Sequence, residues 1–272
     1  MYPPAILSCL VLVLCGACAP PMAASPDLGA ANDLSCVDKR VIEDLVFPST
    51  DGLMVHATAT RPCGGARAPW VVLAHQLCSD RSEWIQANHD WVSALLSRNV
   101  ATLAIDLRGH GASTSWPDGS THDLCGEATD TSVTPLYLGM PGDVQAAMSY
   151  ARSTLGASAV AVIGASIGSN SAVVAFASDP QATMVVALSP GLDYKGIKTS
   201  EPVKAIGSRP ALLEAADDDP SSAASVRQLA TLNASIATKI WPTGGHANRI
   251  LTAHPEELAR IADLVVATLS AP

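Results

Sequence analysis

Residues 159–168 read Ala-Val-Ala-Val-Ile-Gly-Ala-Ser-Ile-Gly, and a run of small residues continues from there to Ala177. A short apolar segment rich in β-branched residues ends in Gly164-Ala165-Ser166-Ile167-Gly168, which reads as strand, sharp turn and helix. In that setting G-x-S-x-G forms an elbow: the glycines let the backbone fold tightly beneath Ser166, and its hydroxyl stands above the sheet. With Gly and Ser each near 7% of residues, three fixed positions recur by chance in about one chain in ten of this length. The pentapeptide therefore gains meaning only if the chain also supplies a base, an acid and oxyanion donors.

Working outward, eight β-like runs appear, at 41–47, 53–60, 70–75, 100–105, 159–164, 183–188, 211–216 and 237–241. The first two are joined through Pro48 to Gly52, with a turn signal at Asp51-Gly52, and form an N-terminal hairpin. Folding them together brings Cys36 and Cys63 opposite one another, so a Cys36–Cys63 disulfide is expected. The run at 70–75 is continuously apolar and 100–105 is the next buried strand, the mark of strands covered on both faces of a mostly parallel sheet. Glu214 interrupts the apolar pattern of 211–216. Between the runs, Ser79 and Asp80 can cap a helix with Glu83 at capping-box spacing, and Trp91, Leu95 and Leu96 supply that helix's buried stripe. Further helices are expected at 143–155, after the elbow, at 201–206, at 221–232 and from Pro255 onward. Residues 114–140 form the longest irregular stretch. Cys78 and Cys125 both follow the carboxyl ends of buried strands, so a Cys78–Cys125 bridge would brace that stretch. Alternating strands and helices after a hairpin give an α/β fold, an eight-stranded and mostly parallel sheet with helices on both faces.

The chain has 272 residues, 48% apolar and 15% charged, enough for one sizeable core, and no internal repeat or second domain is visible. A net charge of −9 and 4% aromatics exclude a basic footprint for nucleic acid or an anionic membrane surface. Residues 5–19 are almost wholly apolar, and no charged side chain precedes Asp27. That suits a signal-peptide core, too short to span a bilayer. Gly16-Ala17-Cys18 resembles the end of a bacterial lipobox, with Cys15 where Leu is usual; cleavage after Ala24 is the competing reading. The Pro-rich stretch that follows reads as a tether. The expected division is a leader and tether over 1–35, with lipidation at Cys18, and a folded domain over 36–272. The expected location is outside the cytoplasm, periplasmic or at the cell surface, with membrane contact only through an N-terminal lipid. Of seven cysteines, Cys36, Cys63, Cys78 and Cys125 lie in the folded part, which suits two disulfides in an oxidising compartment. No C-x-x-C pair and no H-E-x-x-H motif points to a metal, and no cofactor is implied.

Ligands of open α/β sheets bind beyond the carboxyl ends of the strands. His75 to Leu77, Asp106 to Gly111, Ser166, Asp193, Asp217 to Asp219 and Gly244-Gly245-His246 all fall there. A serine nucleophile needs a base to take its proton and a carboxylate to hold that base, and these residues supply both, with an acid among Asp217 to Asp219 or at Asp193.

Four segments carry a resemblance: Leu73-Ala74-His75 with Trp84 downstream, Asp106-Leu-Arg-Gly-His-Gly-Ala-Ser113, Gly-Ala-Ser-Ile-Gly, and Gly-Gly-His246. From about Val41 to the C-terminus the chain resembles the α/β-hydrolases, nearer to the compact dienelactone-hydrolase-like branch than to lidded lipases. The resemblance implies Ser166 as nucleophile, His246 as base and then acid, and Asp219, just before Pro220, as the carboxylate. It implies an oxyanion hole from the N–H of Ile167 and that of Gln76 or Leu77, and a structural turn at Asp106. His75 and His110 are expected to be structural. Two departures stand out: Gln76 replaces the usual Gly, and Ser166 stands where dienelactone hydrolases proper have Cys. The room between Ser189 and Ala211 holds a short helix but no large cap, leaving the 114–140 stretch as the only partial lid. The expected activity is cleavage of a small-molecule carboxylic ester, thioester or lactone. A perhydrolase, an acyltransferase, a small peptidase or a non-catalytic anchored binding module are the alternatives on the same framework.

Overall fold

The computed structural model describes residues 38–64 and 67–270. The expected leader, Cys18 and Cys36 lie outside the described residues, and with Cys36 so does the expected Cys36–Cys63 bridge. The folded part belongs to one unit, Ser35–Pro272. β1 (Arg40–Pro48) and β2 (Met54–Pro62) form the antiparallel hairpin, closed by Ser49 N–H to Leu53 C=O at 2.7 Å. β3 (Trp70–Ala74), α1 (Trp91–Leu96), β4 (Ala101–Ile105), α2 (Thr134–Tyr137), α3 (Met140–Ser153) and β5 (Val160–Ala165) follow. Then come α4 (Ile167–Ser178), β6 (Val185–Leu188), a small hairpin of β7 (Asp193–Tyr194) and β8 (Ile197–Lys198), and α5 (Ser200–Ile206). β9 (Ala211–Ala216), α6 (Pro220–Leu232), β10 (Ala237–Trp241), α7 (Arg249–Ala253) and α8 (Pro255–Leu269) complete the order.

The main sheet has eight strands in the order β1-β2-β4-β3-β5-β6-β9-β10, antiparallel only at the β1–β2 and β2–β4 pairs. Every residue of β3, β4, β5, β6 and β9 is buried, as largely apolar runs require of strands covered on both faces, with Thr102 in β4 and Glu214 in β9 as polar members. Side-chain alternation divides the core in two. Val72, Leu103, Val162 and Leu213 pack with Met148, Phe176 and Leu229 of α3, α4 and α6. Val71, Leu73, Ile163 and Leu212 pack on the opposite face with Trp91, Leu95, Ile261 and Val265 of α1 and α8. Among the buried polar residues is Arg108, 3% exposed, whose guanidinium binds Asp143 of α3 and Asp51 of the β1–β2 turn at 2.7 Å each. This buried fork locks the hairpin to the turn after β4.

Two local expectations change. The single helix expected after Asp80 is two pieces, a 3-10 turn over Arg81–Ile85 and α1. Asp90 restarts the chain by accepting from Ser93 N–H at 2.8 Å, which ends any continuous helix. The capping box does not form, because the Glu83 carboxylate is drawn inward to the backbone of Gln76. Helix α3 also begins earlier than expected, at Met140, with Pro141 in its first turn where the missing N–H costs nothing. The 114–140 stretch is braced: Cys125 is bonded to Cys78, and Tyr137 Oη donates to Leu124 C=O at 2.5 Å.

Removing a bridge that closes a loop of 47 residues frees the unfolded chain. C78S/C125S should lose about 2–4 kcal/mol of stability, read by denaturant unfolding of oxidised protein; equal midpoints would refute it. Glu214 supplies a second test. Burial, with Glu257 opposite, pushes its carboxyl up to about 8, while Arg260, Glu214 and Lys239 hold Glu257 down at about 2 against burial. The folded state thus keeps on Glu214 a proton that the unfolded chain releases above its ordinary value, so this group's contribution to stability falls as pH rises towards 8. E214Q should therefore gain thermal stability relative to wild type between pH 5 and pH 9, by on the order of 5 °C in Tm. A difference independent of pH would contradict the protonated pair.

Candidate active site

At the carboxyl end of β5, Ser166 takes φ 53° and ψ −118°. A non-glycine residue there is strained, and the surroundings must impose it. They do so by close packing. A Cβ on Gly168 would lie 2.2 Å from Ala74 C=O, and one on Gly164 would lie 2.2 Å from Gly168 C=O. Only glycine lets α4 sit this tightly on β3 and β5. Ser166 N–H donates to Leu188 C=O at 2.9 Å, and Ser169 Oγ donates to Ser166 C=O at 2.5 Å, fixing the elbow from both sides.

Two loops bring partners to this hydroxyl. After β9 the chain turns at Asp219, which precedes Pro220 and α6. An aspartate in that position ordinarily caps the helix; here it makes no cap bond, and its Oδ2 faces His246 Nδ1 at 2.6 Å. After β10, Gly244-Gly245 deliver His246, whose Nε2 lies 2.7 Å from Ser166 Oγ. A carboxylate only accepts, so Nδ1 carries the proton and Nε2 is free to accept from the serine. Burial works against the ionised Asp219, but hydrogen bonds from Ser222 and His246 outweigh it and hold the carboxyl below its ordinary value. Ser166 is 9% exposed and the His246 side chain 36%, so the line of contacts opens to solvent at the imidazole.

The alternative acids are engaged elsewhere. Asp217 pairs with Arg227 at 2.6 Å, and Asp193 accepts from Gly196 N–H at 2.7 Å within the small hairpin. Asp218, the remaining alternative, accepts from Gly244 N–H at 3.1 Å and Gly245 N–H at 2.8 Å. It clamps the His246 loop to the Asp219 turn. This role was missed because it depends on backbone donors 26 residues away, though the adjacent glycines marked a tight loop.

His75 is buried: Nδ1–H donates to Gln76 C=O at 2.7 Å and Nε2 accepts from Leu107 N–H at 3.0 Å. Burial, followed by the nearby His110, pushes it down to about 3, so it stays neutral and structural. His110 bonds to Arg108 C=O at 3.0 Å. The Asp106 carboxylate accepts from Arg81 N–H and Ala112 N–H, both at 2.8 Å, and pairs with the Arg81 guanidinium, so that segment is a turn scaffold.

Of the expected oxyanion donors, Ile167 opens α4, where an N–H has no helical acceptor. Gln76 drops out, because its N–H already donates to Glu83 Oε2 at 3.0 Å. Leu77 remains on that loop, beside the disulfide-bonded Cys78. Sequence reading also missed Ser189 and Tyr194. Ser189 Oγ accepts from Ala247 N–H at 2.8 Å, directly after the histidine. The Tyr194 ring meets the His246 ring edge-on with centroids 6.5 Å apart. Among the described residues no cluster of His, Cys, Asp or Glu could hold a metal ion, and no helix is long and apolar enough to cross a membrane.

Comparison with known proteins agrees with this architecture. The Pyrococcus furiosus esterase Pf2001 superimposes with a TM-score of 0.63 at 15% identity, over 84% of this chain and 91% of that one. Dienelactone hydrolase from Anabaena variabilis gives 0.61 at 20% identity, over 84% and 96%. Acetyl xylan esterase from Paenibacillus sp. R4 gives 0.64 at 18% identity, over 84% and 85%. No curated protein sequence matches. The family described as the alpha/beta hydrolase fold matches residues 69–207, just over half of the chain. The chain belongs to the α/β-hydrolase fold family.

Proposed function

We propose that this protein is an exported serine hydrolase that cleaves small carboxylic esters, thioesters or lactones through an acyl-enzyme. The observation that carries the reading is the unbroken line Ser166 Oγ, His246 Nε2, His246 Nδ1, Asp219 Oδ2, with contacts of 2.7 and 2.6 Å. His246 Nε2 accepts the proton of Ser166 as Oγ bonds to the substrate carbonyl carbon. The carbonyl π electrons move to oxygen, where the N–H groups of Ile167 and Leu77 meet the developing charge. Collapse of the tetrahedral species expels the alkoxide, which takes the proton from the imidazolium. Water then repeats the sequence on the acyl-enzyme and releases the acid. Asp219 stays ionised throughout and keeps the Nδ1–H tautomer.

The open imidazole supports a small or surface-presented substrate, as does the segment between β6 and β9, where only a two-stranded hairpin and the seven-residue α5 occupy the place of a cap. The names of the similar structures, two esterases and a dienelactone hydrolase, support ester chemistry by analogy. The Cys78–Cys125 bridge and the apolar leader together support an oxidising compartment outside the cytoplasm, with 36–272 as the mature catalytic domain and Cys18 as the lipid anchor.

A fluorophosphonate probe should label wild-type protein and leave S166A unlabelled, and S166A should lose at least about 10³-fold in kcat on a short p-nitrophenyl ester. Labelling of S166A at the wild-type level would overturn the nucleophile. D219N should keep the fold and KM but lose about 10³- to 10⁴-fold in kcat, because an amide can hold the wrong histidine tautomer. Retention of kcat within tenfold would reassign the carboxylate.

A further inference from the structure

Glu83 is 6% exposed and sits between the two loops that flank Ser166. Its Oε2 accepts from Gln76 N–H at 3.0 Å, one residue before Leu77. Its Oε1 accepts from Asn248 Nδ2 at 2.6 Å, two residues after His246. Asn248 is itself buried and accepts at Oδ1 from Trp91 Nε1–H at 3.2 Å. Glu83 makes no ion pair with Lys or Arg among the described residues, so its desolvated charge is met by N–H donors from these two loops. An uncompensated buried carboxylate is costly, and charge-assisted hydrogen bonds to N–H groups are what offset it. The arrangement also has one direction only: Trp91 donates to Asn248, Asn248 donates to Glu83, and Gln76 donates to Glu83. A carboxylate accepts at both oxygens, which fixes the Asn248 amide and holds both loops at a set separation.

We propose that Glu83 is a positioning residue for hydrolysis. It sets the place of the Leu77 N–H relative to His246, so that oxyanion donor and base address the same tetrahedral species. The proposal rests on Ser166 acting as nucleophile with Leu77 as an oxyanion donor. Because the donor meets charge only as it develops, its displacement lowers kcat and leaves KM largely alone.

The hydrogen-bond direction supplies a discriminating test. In E83Q one amide N–H₂ must face a donor. If Asn248 turns over to relieve this, its own N–H₂ then meets Trp91 Nε1–H. In N248D two carboxylates face each other. In E83Q/N248D every bond can re-form: the introduced amide accepts from Gln76 and donates to the introduced carboxylate, which also accepts from Trp91. The experiment measures kcat and KM on a short p-nitrophenyl ester, normalised to sites titrated with a fluorophosphonate, with Tm taken alongside. E83Q and N248D should each lower kcat by about 10- to 100-fold with KM within about threefold, and the double variant should return to within about fivefold of wild type. An E83Q kcat per titrated site equal to wild type overturns the proposal, as does a double variant no better than the weaker single one. If E83Q does not fold, recovery of folded, active protein in the double variant supports the proposal and its absence overturns it. Failure of the underlying reading is separate and visible: wild-type protein would then take no label at Ser166.

Discussion

Ser166 is held at a positive φ, and the layout of the site follows from that constraint. Such a conformation costs on the order of 1–3 kcal/mol in a non-glycine residue and persists only where the surroundings over-determine it. Here the surroundings are β3, β5, β6 and α4. Gly164 and Gly168 allow the helix to close onto the sheet, and the Ser166 N–H continues the hydrogen bonding of β5 to β6. The hydroxyl is then carried by two central strands buried on both faces. Precision at Ser166 is therefore a property of the sheet, whereas precision at its partners must be built from loops.

Carboxylates do that building. Asp106 gathers the turn after β4, Asp143 binds Arg108 beneath the hairpin, Asp218 clamps the His246 loop, and Glu83 joins that loop to the one after β3. In all four cases backbone N–H groups are among the donors, that of Arg108 meeting Asp143 at 3.0 Å. Loops at a sheet edge expose backbone donors that strands and helices would otherwise satisfy. An ionised carboxylate meets two or more of them at once, more strongly than a neutral acceptor. The net charge of −9 thus has an internal counterpart: several acidic residues are structural anchors.

The fold was legible in the sequence because its signals are local. Largely apolar runs marked the buried parallel strands, Asp51-Gly52 marked the hairpin, and Pro255 marked the start of α8. The elbow was legible for the same reason, since its glycines lie within two residues of Ser166. Cys78–Cys125 could be inferred because both cysteines follow strand ends on one edge. What escaped depends on long-range pairing. Glu83 sits at capping-box spacing from Asp80, and nothing nearby reveals that its carboxylate turns towards a residue 165 positions away. Asp217, Asp218 and Asp219 are chemically alike in sequence, and only their three different partners separate them. The helix expected from Asp80 failed because Asp90 is an equally good cap, and two caps ten residues apart make two short segments.

The openness of the site follows from the same division of labour. A large cap would have to be inserted between β6 and β9, where this chain spends its residues on a hairpin whose Lys195 reaches Ala128 C=O at 2.5 Å. That contact joins the hairpin to the stretch after β4 close to Cys125, so the middle of that stretch is fastened both to the hairpin and, through Cys78, to the loop after β3. Two fastenings this close together oppose a swinging motion of that middle part. At this edge Tyr194 lies beside the imidazole, and Gln76 stands where the family more often has glycine. Under the proposed ester hydrolysis a fastened stretch spends no substrate binding energy on closure, and the demand falls on keeping the donors opposite Ser166 in place. The bridging carboxylate of Glu83 has its mechanical place in that requirement.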